Sequence, residues 1–322
     1  MPGLFAPIPL GLSGNESWFT LRLDVNEPYL TDHRPGGDPL FSTVMGLEAA
    51  VAAARQVAST PAPASLRAVR VLEPYIALGT GPHVVELSIR ASSGNPRRCF
   101  DCTLFSRQDD GQVSCHLQVQ VEFSGAPVDA AATAASMRAS PSDGLAPRAV
   151  TQRDVYALFF HGPAFQVVAS AAVRSGLMQC RFASGLPPSH RHRPSDSEIA
   201  PRLLEFALQS AGLLELTDSG RMMIPHSIGR VDRFSSVDVD YSGELVSVAR
   251  FGSPERSSID VDILDERGRL MMRVGQYRTE PLPFVGNATA AARLRRLLQN
   301  SEFAGEATEP VPRSDYHPPP RS

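Results

Sequence analysis

The chain has 322 residues, with 31 Lys and Arg against 34 Asp and Glu, a formal net charge of −3, and 42% hydrophobic residues. That is enough apolar material for one large domain or two ordinary ones, and a near-neutral, dispersed charge leaves no footprint for a nucleic-acid partner. No run of about 18 apolar residues could span a membrane, and residues 1–12 lack the charged start and apolar core of a secretory leader; a cytoplasmic location is expected, with Cys99, Cys102, Cys115 and Cys180 as free thiols.

In chain order, residues 18–25 (WFTLRLDV) alternate like a strand, a Gly/Pro loop follows, and residues 43–58 (TVMGLEAAVAAARQVA) form an Ala-rich helix. Four β-like runs come next, 66–78, 83–91, 98–107 and 113–123, alternating apolar and polar residues between Gly, Pro and Asp. Residues 125–147 are rich in Ala, Ser, Pro and Gly and read as a linker. Beyond it, 165–174 and 177–183 read as strands, 201–217 (PRLLEFALQSAGLLELT) as a helix with Pro in its first turn, and 228–237, 244–251, 257–264 and 270–279 as strands. Residues 290–299 could form a short basic helix, and the proline-rich end cannot pack, so the tail is expected to be largely disordered.

The chain thus divides into an N-terminal unit (1–124), a linker (125–147), a C-terminal unit (148–284) and a tail (285–322). Each unit offers one long helix followed by antiparallel strands able to curl around it. That order describes a hotdog fold, and its repetition predicts an α+β double hotdog.

Three segments could carry chemistry. His33 lies in a Gly-rich loop (residues 29–42, YLTDHRPGGDPLFS) just before the first long helix, whose unpaired N–H groups could polarise a carbonyl while a neutral imidazole removes an acidified α-proton. The alternative is a loop histidine with a structural hydrogen bond. Glu205 sits among Leu203, Leu204, Phe206, Ala207 and Leu208, with Gln209 four residues on and on the same face. In an apolar pocket desolvation would raise its pKa and let it hold a proton near neutrality; on an exposed stripe the two would be a solvated pair. Residues 156–166 (YALFFHGPAFQ) place Gly162 and Pro163 as a turn after an aromatic run, with His161 either a site residue or a packed turn histidine.

Other signals are weaker. Cys99 and Cys102 form a lone C-x-x-C, but in strand-like runs positions i and i+3 face opposite sides, so no metal is expected. The His190-Arg191-His192 stretch reads as a solvated loop. There is no phosphate-binding glycine motif and no G-x-S-x-G.

Together the three segments resemble the dehydratase domain of polyketide synthases, whose pattern is H-x-x-x-G-x-x-x-x-P, then Y-G-P-x-F, then L-D-x-x-x-Q. Here these read His33 through Gly37 to Ser42, His161-Gly162-Pro163-Ala164-Phe165, and Leu204-Glu205 to Gln209. Residues 44–49 (VMGLEA) and 160–163 (FHGP) look most similar to the iterative synthases of polyunsaturated fatty acids and enediynes. Three positions depart from the pattern: Ser42 replaces proline, His161 replaces tyrosine and Glu205 replaces aspartate. Serine caps helices well, so the helix start should survive.

The resemblance implies elimination of water from a 3-hydroxyacyl group on an acyl carrier protein, within a polyketide synthase and without a cofactor. His33 would take the α-proton, Glu205 would protonate the departing hydroxyl and the Gly37 N–H would hold the thioester oxygen. His161, Gly162, Pro163, Phe165 and Gln209 would shape the substrate site, with an apolar tunnel lined partly by Pro163, Phe165 and Leu204. A homodimer is compatible with this reading. Its rivals are isomerisation or cyclisation of the same substrates, and a non-catalytic module that binds the carrier protein.

Overall fold

In a computed structural model of the protein, residues 5–13, 15–76, 83–95, 97–107, 111–124, 149–190, 197–234, 243–253, 255–282 and 287–303 are described. The N-terminal half contains the strands β1 (Ile8–Ser13), β2 (Glu16–Leu23), β3 (Leu40–Phe41), β4 (Ala64–Val71), β5 (Tyr75–Ile76), β6 (His83–Ala91), β7 (Cys99–Arg107) and β8 (Val113–Phe123). Its helices are the short α1 (Pro28–Thr31) and the long α2 (Thr43–Ala58). The C-terminal half holds β9 (Val150–Thr151), α3 (Gln152–Tyr156), β10 (Val168–Arg174), β11 (Leu177–Phe182), α4 (Pro201–Ser219), β12 (Met223–Arg233), β13 (Leu245–Phe251), β14 (Ile259–Asp265), β15 (Leu270–Pro281) and α5 (Ala288–Phe303).

The main sheet runs β1-β2-β6-β7-β8-β4-β12-β15-β14-β13-β11-β10-β9. Within it the order β1-β2-β6-β7-β8-β4 is the mirror of β10-β11-β13-β14-β15-β12, element for element in chain order. The two copies meet where β4 pairs antiparallel with β12, from Leu66 opposite Val231 to Arg70 opposite Ser227. This is a double hotdog, as the order of elements predicts.

Each sheet half wraps one helix. From Val44 to Ala54 every residue of α2 is buried. An Ala-rich helix is thin, so strands can approach closely; a Cβ on Gly46 would stand 3.2 Å from Leu117 Cδ2. Ser42 caps α2 by accepting a hydrogen bond from the Met45 N–H at 3.4 Å, so the serine does serve as the helix start. α4 begins at Pro201 and ends on Gly220 in the left-handed conformation, and Pro201–Ala211 are buried throughout.

Several expectations are corrected. The run 66–78 is not one strand: Glu73-Pro74 interrupts it, proline lacking the N–H a ladder needs, and Tyr75–Ile76 pairs instead with Leu40–Phe41. Pro163–Phe165 is a helical turn, and the strand expected from 165 starts at Val168. β1 was not anticipated; all six of its residues are exposed, so it shows no buried face. His190 is 8% exposed, packed on Tyr29 and Phe5 rather than solvated, and burial with the Arg202 charge lowers its pKa to about 3.

The short basic helix expected at 290–299 is part of α5. α5 docks against β10, burying Leu294 and Leu298, while Ser301 Oγ accepts the Val173 N–H at 3.0 Å. Arg295 donates to the Thr217 and Asp218 carbonyls at the end of α4, where orphan acceptors favour a cation. The buried apolar positions of α5, Ala291, Leu294 and Leu298, are spaced i, i+3, i+7, a stripe too sparse to distinguish in sequence from a solvated basic helix. The expected linker lies outside the described residues, as do residues 304–322. Among the described residues no helix is long and apolar enough to cross a membrane, and no His, Cys, Asp and Glu side chains gather as metal ligands.

Candidate active site

The loop between α1 and α2 and the turn before β10 come from different halves, and backbone hydrogen bonds hold them together. The Gly162 N–H donates to the Asp32 carbonyl and the Ala164 N–H to Asp32 Oδ2, both at 2.7 Å. His33 and His161 then face each other across an isolated antiparallel bridge. The approach requires glycine at 162: a Cβ there would lie 2.8 Å from Asp32 Cα and 2.6 Å from its Cγ.

His33 is 8% exposed, and its Nδ1 lies 3.1 Å from the Leu40 carbonyl. A carbonyl only accepts, so Nδ1 carries the proton and the neutral ring keeps its lone pair on Nε2. Burial, followed by the neighbouring His161 charge, lowers the His33 pKa to about 4. At neutral pH His33 is therefore a free base.

Glu205 and Gln209 are both buried, which removes the solvated-pair alternative. Gln209 Nε2 donates to Glu205 Oε1 at 2.9 Å and to the Phe165 carbonyl at 3.0 Å, while its Oε1 accepts the Tyr156 hydroxyl at 2.7 Å. Tyr156 in turn accepts the Val168 N–H at 2.9 Å. The Glu205 carboxyl is thus held through α3 and the start of β10. His161 Nε2 also reaches Glu205 Oε1, at 3.0 Å.

This contact reverses the expected pKa. Burial pushes Glu205 up, but the His161 hydrogen bond and charge, with help from His33 and Gln209, outweigh it and hold the carboxyl below the ordinary carboxylate range.

A cavity of about 230 Å³ is lined by His33, His161, Glu205 and Gln209. It extends past Leu104, His116 and Leu117 on the N-terminal side and past Met222, Met223 and Tyr277 on the C-terminal side. Ser42 and Thr43, at the start of α2, are on its wall.

The other residues singled out from sequence fall elsewhere. Phe165 and Leu204 are fully buried core residues and Pro163 is exposed; the wall instead uses Phe159, Phe160, Leu208 and Gly212. Gly37 is exposed with φ +101°, and its N–H donates to the Arg34 carbonyl at 3.1 Å, so it is not free to hold a thioester oxygen. Asp32 and Tyr156 are site-building residues that sequence reading missed. Nothing in their spacing signals contacts that exist only once the two halves meet.

Two family models match, "Polyketide synthase dehydratase domain" over residues 9–107 and "Polyketide synthase dehydratase N-terminal domain" over residues 129–287, together most of the chain. No curated protein sequence matches. Among solved structures, the dehydratase domain of the CurK module of curacin polyketide synthase has a TM-score of 0.68 at 17% identity, covering 87% of this chain and 98% of that one. The dehydratase domain of the polyketide PpsC from Mycobacterium tuberculosis gives 0.68 at 18%, covering 85% and 96%. A trans-AT dehydratase domain from Brevibacillus brevis gives 0.66 at 16%, covering 85% and 96%. These likenesses show the fold. With both family models spanning the two hotdogs, the chain belongs to the polyketide synthase dehydratase domains, lyases that eliminate water from 3-hydroxyacyl groups.

Proposed function

We propose that His33 is the general base of this elimination and that Glu205, with the groups bonded to it, is its acid side. The observation that carries the reading is one cavity with a neutral buried imidazole and a buried carboxylate–imidazole pair on its wall. The thioester already acidifies the substrate's α-carbon, so a base with a free Nε2 lone pair can remove that proton without a metal or organic cofactor. The first-turn N–H groups of α2, at Thr43 on the cavity wall, are suited to the thioester oxygen.

The substrate is an acyl group carried by an acyl carrier protein of a polyketide synthase. The residues Phe160-His161-Gly162-Pro163 favour the iterative polyunsaturated-fatty-acid and enediyne type within the family. A homodimer is proposed through the edge strand β1, where Ile8, Leu10 and Leu12 are 50%, 58% and 80% exposed. Incubating the protein with 3-hydroxyacyl carrier protein and weighing the product tests the activity. Loss of one water is expected, and an unchanged mass with altered retention would mean isomerisation or ring closure.

A further inference from the structure

A donor on the cavity wall stands outside the acid–base pair. Tyr277 of β15 is 2% exposed and lines the cavity. Among the described residues its hydroxyl makes no hydrogen bond, and it is not sealed in as the unpartnered His161 Nδ1 is. The little surface that Tyr277 keeps is on the cavity wall, so the hydroxyl opens into the cavity. A phenol held there without a partner is unfavourable until a ligand supplies one.

The backbone is bent to put it there. Along β15 Met272 and Val274 are buried, and then Tyr277, three residues further. Side chains of a regular strand alternate, so an odd step turns the strand over. The odd step is a bulge. Ile259 and Val261 of β14 pair with Tyr277 and Val274, which leaves Gly275 and Gln276 opposite Asp260 alone. Gln276 takes φ +54°, a left-handed conformation unfavourable for a side chain, and its N–H donates to Asp260 Oδ1 at 2.9 Å. Without the extra residue Tyr277 would face outward. Two residues on, the Thr279 hydroxyl donates to Glu215 Oε1 at 3.0 Å, so this face of β15 lies against α4. Glu215 is about 15 Å along that helix from Glu205. Burial first, then the charges of Glu205 and Glu215, keep the phenol protonated.

Resting on the dehydratase reading, we propose that Tyr277 contacts the substrate. Its hydroxyl donates to an oxygen carried by the acyl chain beyond the 3-hydroxyl, so the substrate is an oxygenated chain rather than a plain alkyl one. The other oxygens of the substrate already have partners in that reading: the 3-hydroxyl at Glu205 and the thioester oxygen at the first-turn N–H groups of α2. Past Glu205 the wall is formed by Leu208, Gly212, Met222 and Met223, none of which has a polar side chain to offer. On the opposite wall both ring nitrogens of His116 are taken, by the Glu73 carbonyl at 3.0 Å and Ser106 Oγ at 2.8 Å. One donor in an otherwise apolar stretch fixes which oxygenated chain fits, because a chain without the oxygen leaves the buried hydroxyl unpaired.

Steady-state kinetics on the full chain test the proposal. The substrates are 3-hydroxyacyl pantetheine thioesters of equal length, one with a plain alkyl chain and the others with a keto group at successive carbons beyond the 3-hydroxyl. The wild type should favour at least one keto chain over the plain one in kcat/KM. Tyr277→Phe keeps the ring and its packing and removes only the hydroxyl. It should raise KM for the favoured chain by a factor of about 3–10, the worth of one hydrogen bond, and bind the plain chain slightly better. A wild type without preference, a variant that keeps the preference, or an equal loss on plain and keto chains overturns the proposal and leaves the dehydratase reading intact. A wild type that removes water from none of these substrates overturns that reading, and the proposal falls with it.

Discussion

At His33 the Leu40 carbonyl fixes the tautomer and burial fixes the charge. The ordinary histidine pKa is near 6.5, so an exposed base would fade as the pH drops through about that value. With the pKa lowered to about 4, the base form persists down to that range. The acid limb of kcat should therefore fall near pH 4; a limb near pH 6.5 would show that another, solvated histidine is the base. His33→Ala should lower kcat by a factor of about 10²–10⁴ or more, while the chain still folds to the same secondary structure by circular dichroism. Gly162→Ala is a geometric test. A methyl 2.8 Å from Asp32 Cα must push apart the two loops that set His33 beside His161, so kcat should collapse and Tm should fall. Unchanged kinetics in that variant would contradict the clasp.

Among the elements, α2 and α4 are coupled by one carboxylate. Glu48, fully buried in α2, accepts from the Glu198 N–H at 2.7 Å, the Ile199 N–H at 2.9 Å and the Ser197 hydroxyl at 3.3 Å, all just before α4. α4 carries Glu205, so this contact fixes the depth of the site from the other half. Burial raises the Glu48 pKa to about 7, against about 4.5 for the free group. A raised carboxylate pKa gives stability that is full below about pH 4.5 and is lost as the pH rises through about 7. Thermal denaturation between pH 5 and 8 should show this loss in the wild-type protein and a smaller one in Glu48→Gln; identical slopes would refute it. Both long helices were legible in sequence, residues 43–58 to the residue, because an apolar, Ala-rich run between a capping Ser42 and polar flanks has few alternatives. The pairing of β3 with β5 was not, since two-residue strands leave no periodicity.

Across the whole molecule, the element order was enough to read two hotdogs, because each unit repeats the same succession of one helix and antiparallel strands. Four of the residues singled out in the sequence, His33, His161, Glu205 and Gln209, line one cavity, but the bonds among them were not legible. His161 passes for a turn histidine until the halves close, and only then does its bond to Glu205 reverse the expected protonation. The edge at β1 sets the proposed assembly. A lysine on an exposed edge strand blocks strand addition, so Leu10→Lys with Leu12→Lys should convert a dimer to monomer in sedimentation velocity, with activity per chain retained. Removal of α5 takes away the buried Leu294 and Leu298, each worth about 1.5–3 kcal/mol of burial, uncovers the face of β10 on which they pack, and should lower Tm rather than kcat. The most direct test is mass spectrometry of a 3-hydroxyacyl carrier protein after incubation with wild-type and His33→Ala protein. Loss of one water with the wild type and none with the variant is expected. No loss with the wild type, or an equal loss with both, would contradict dehydration at His33.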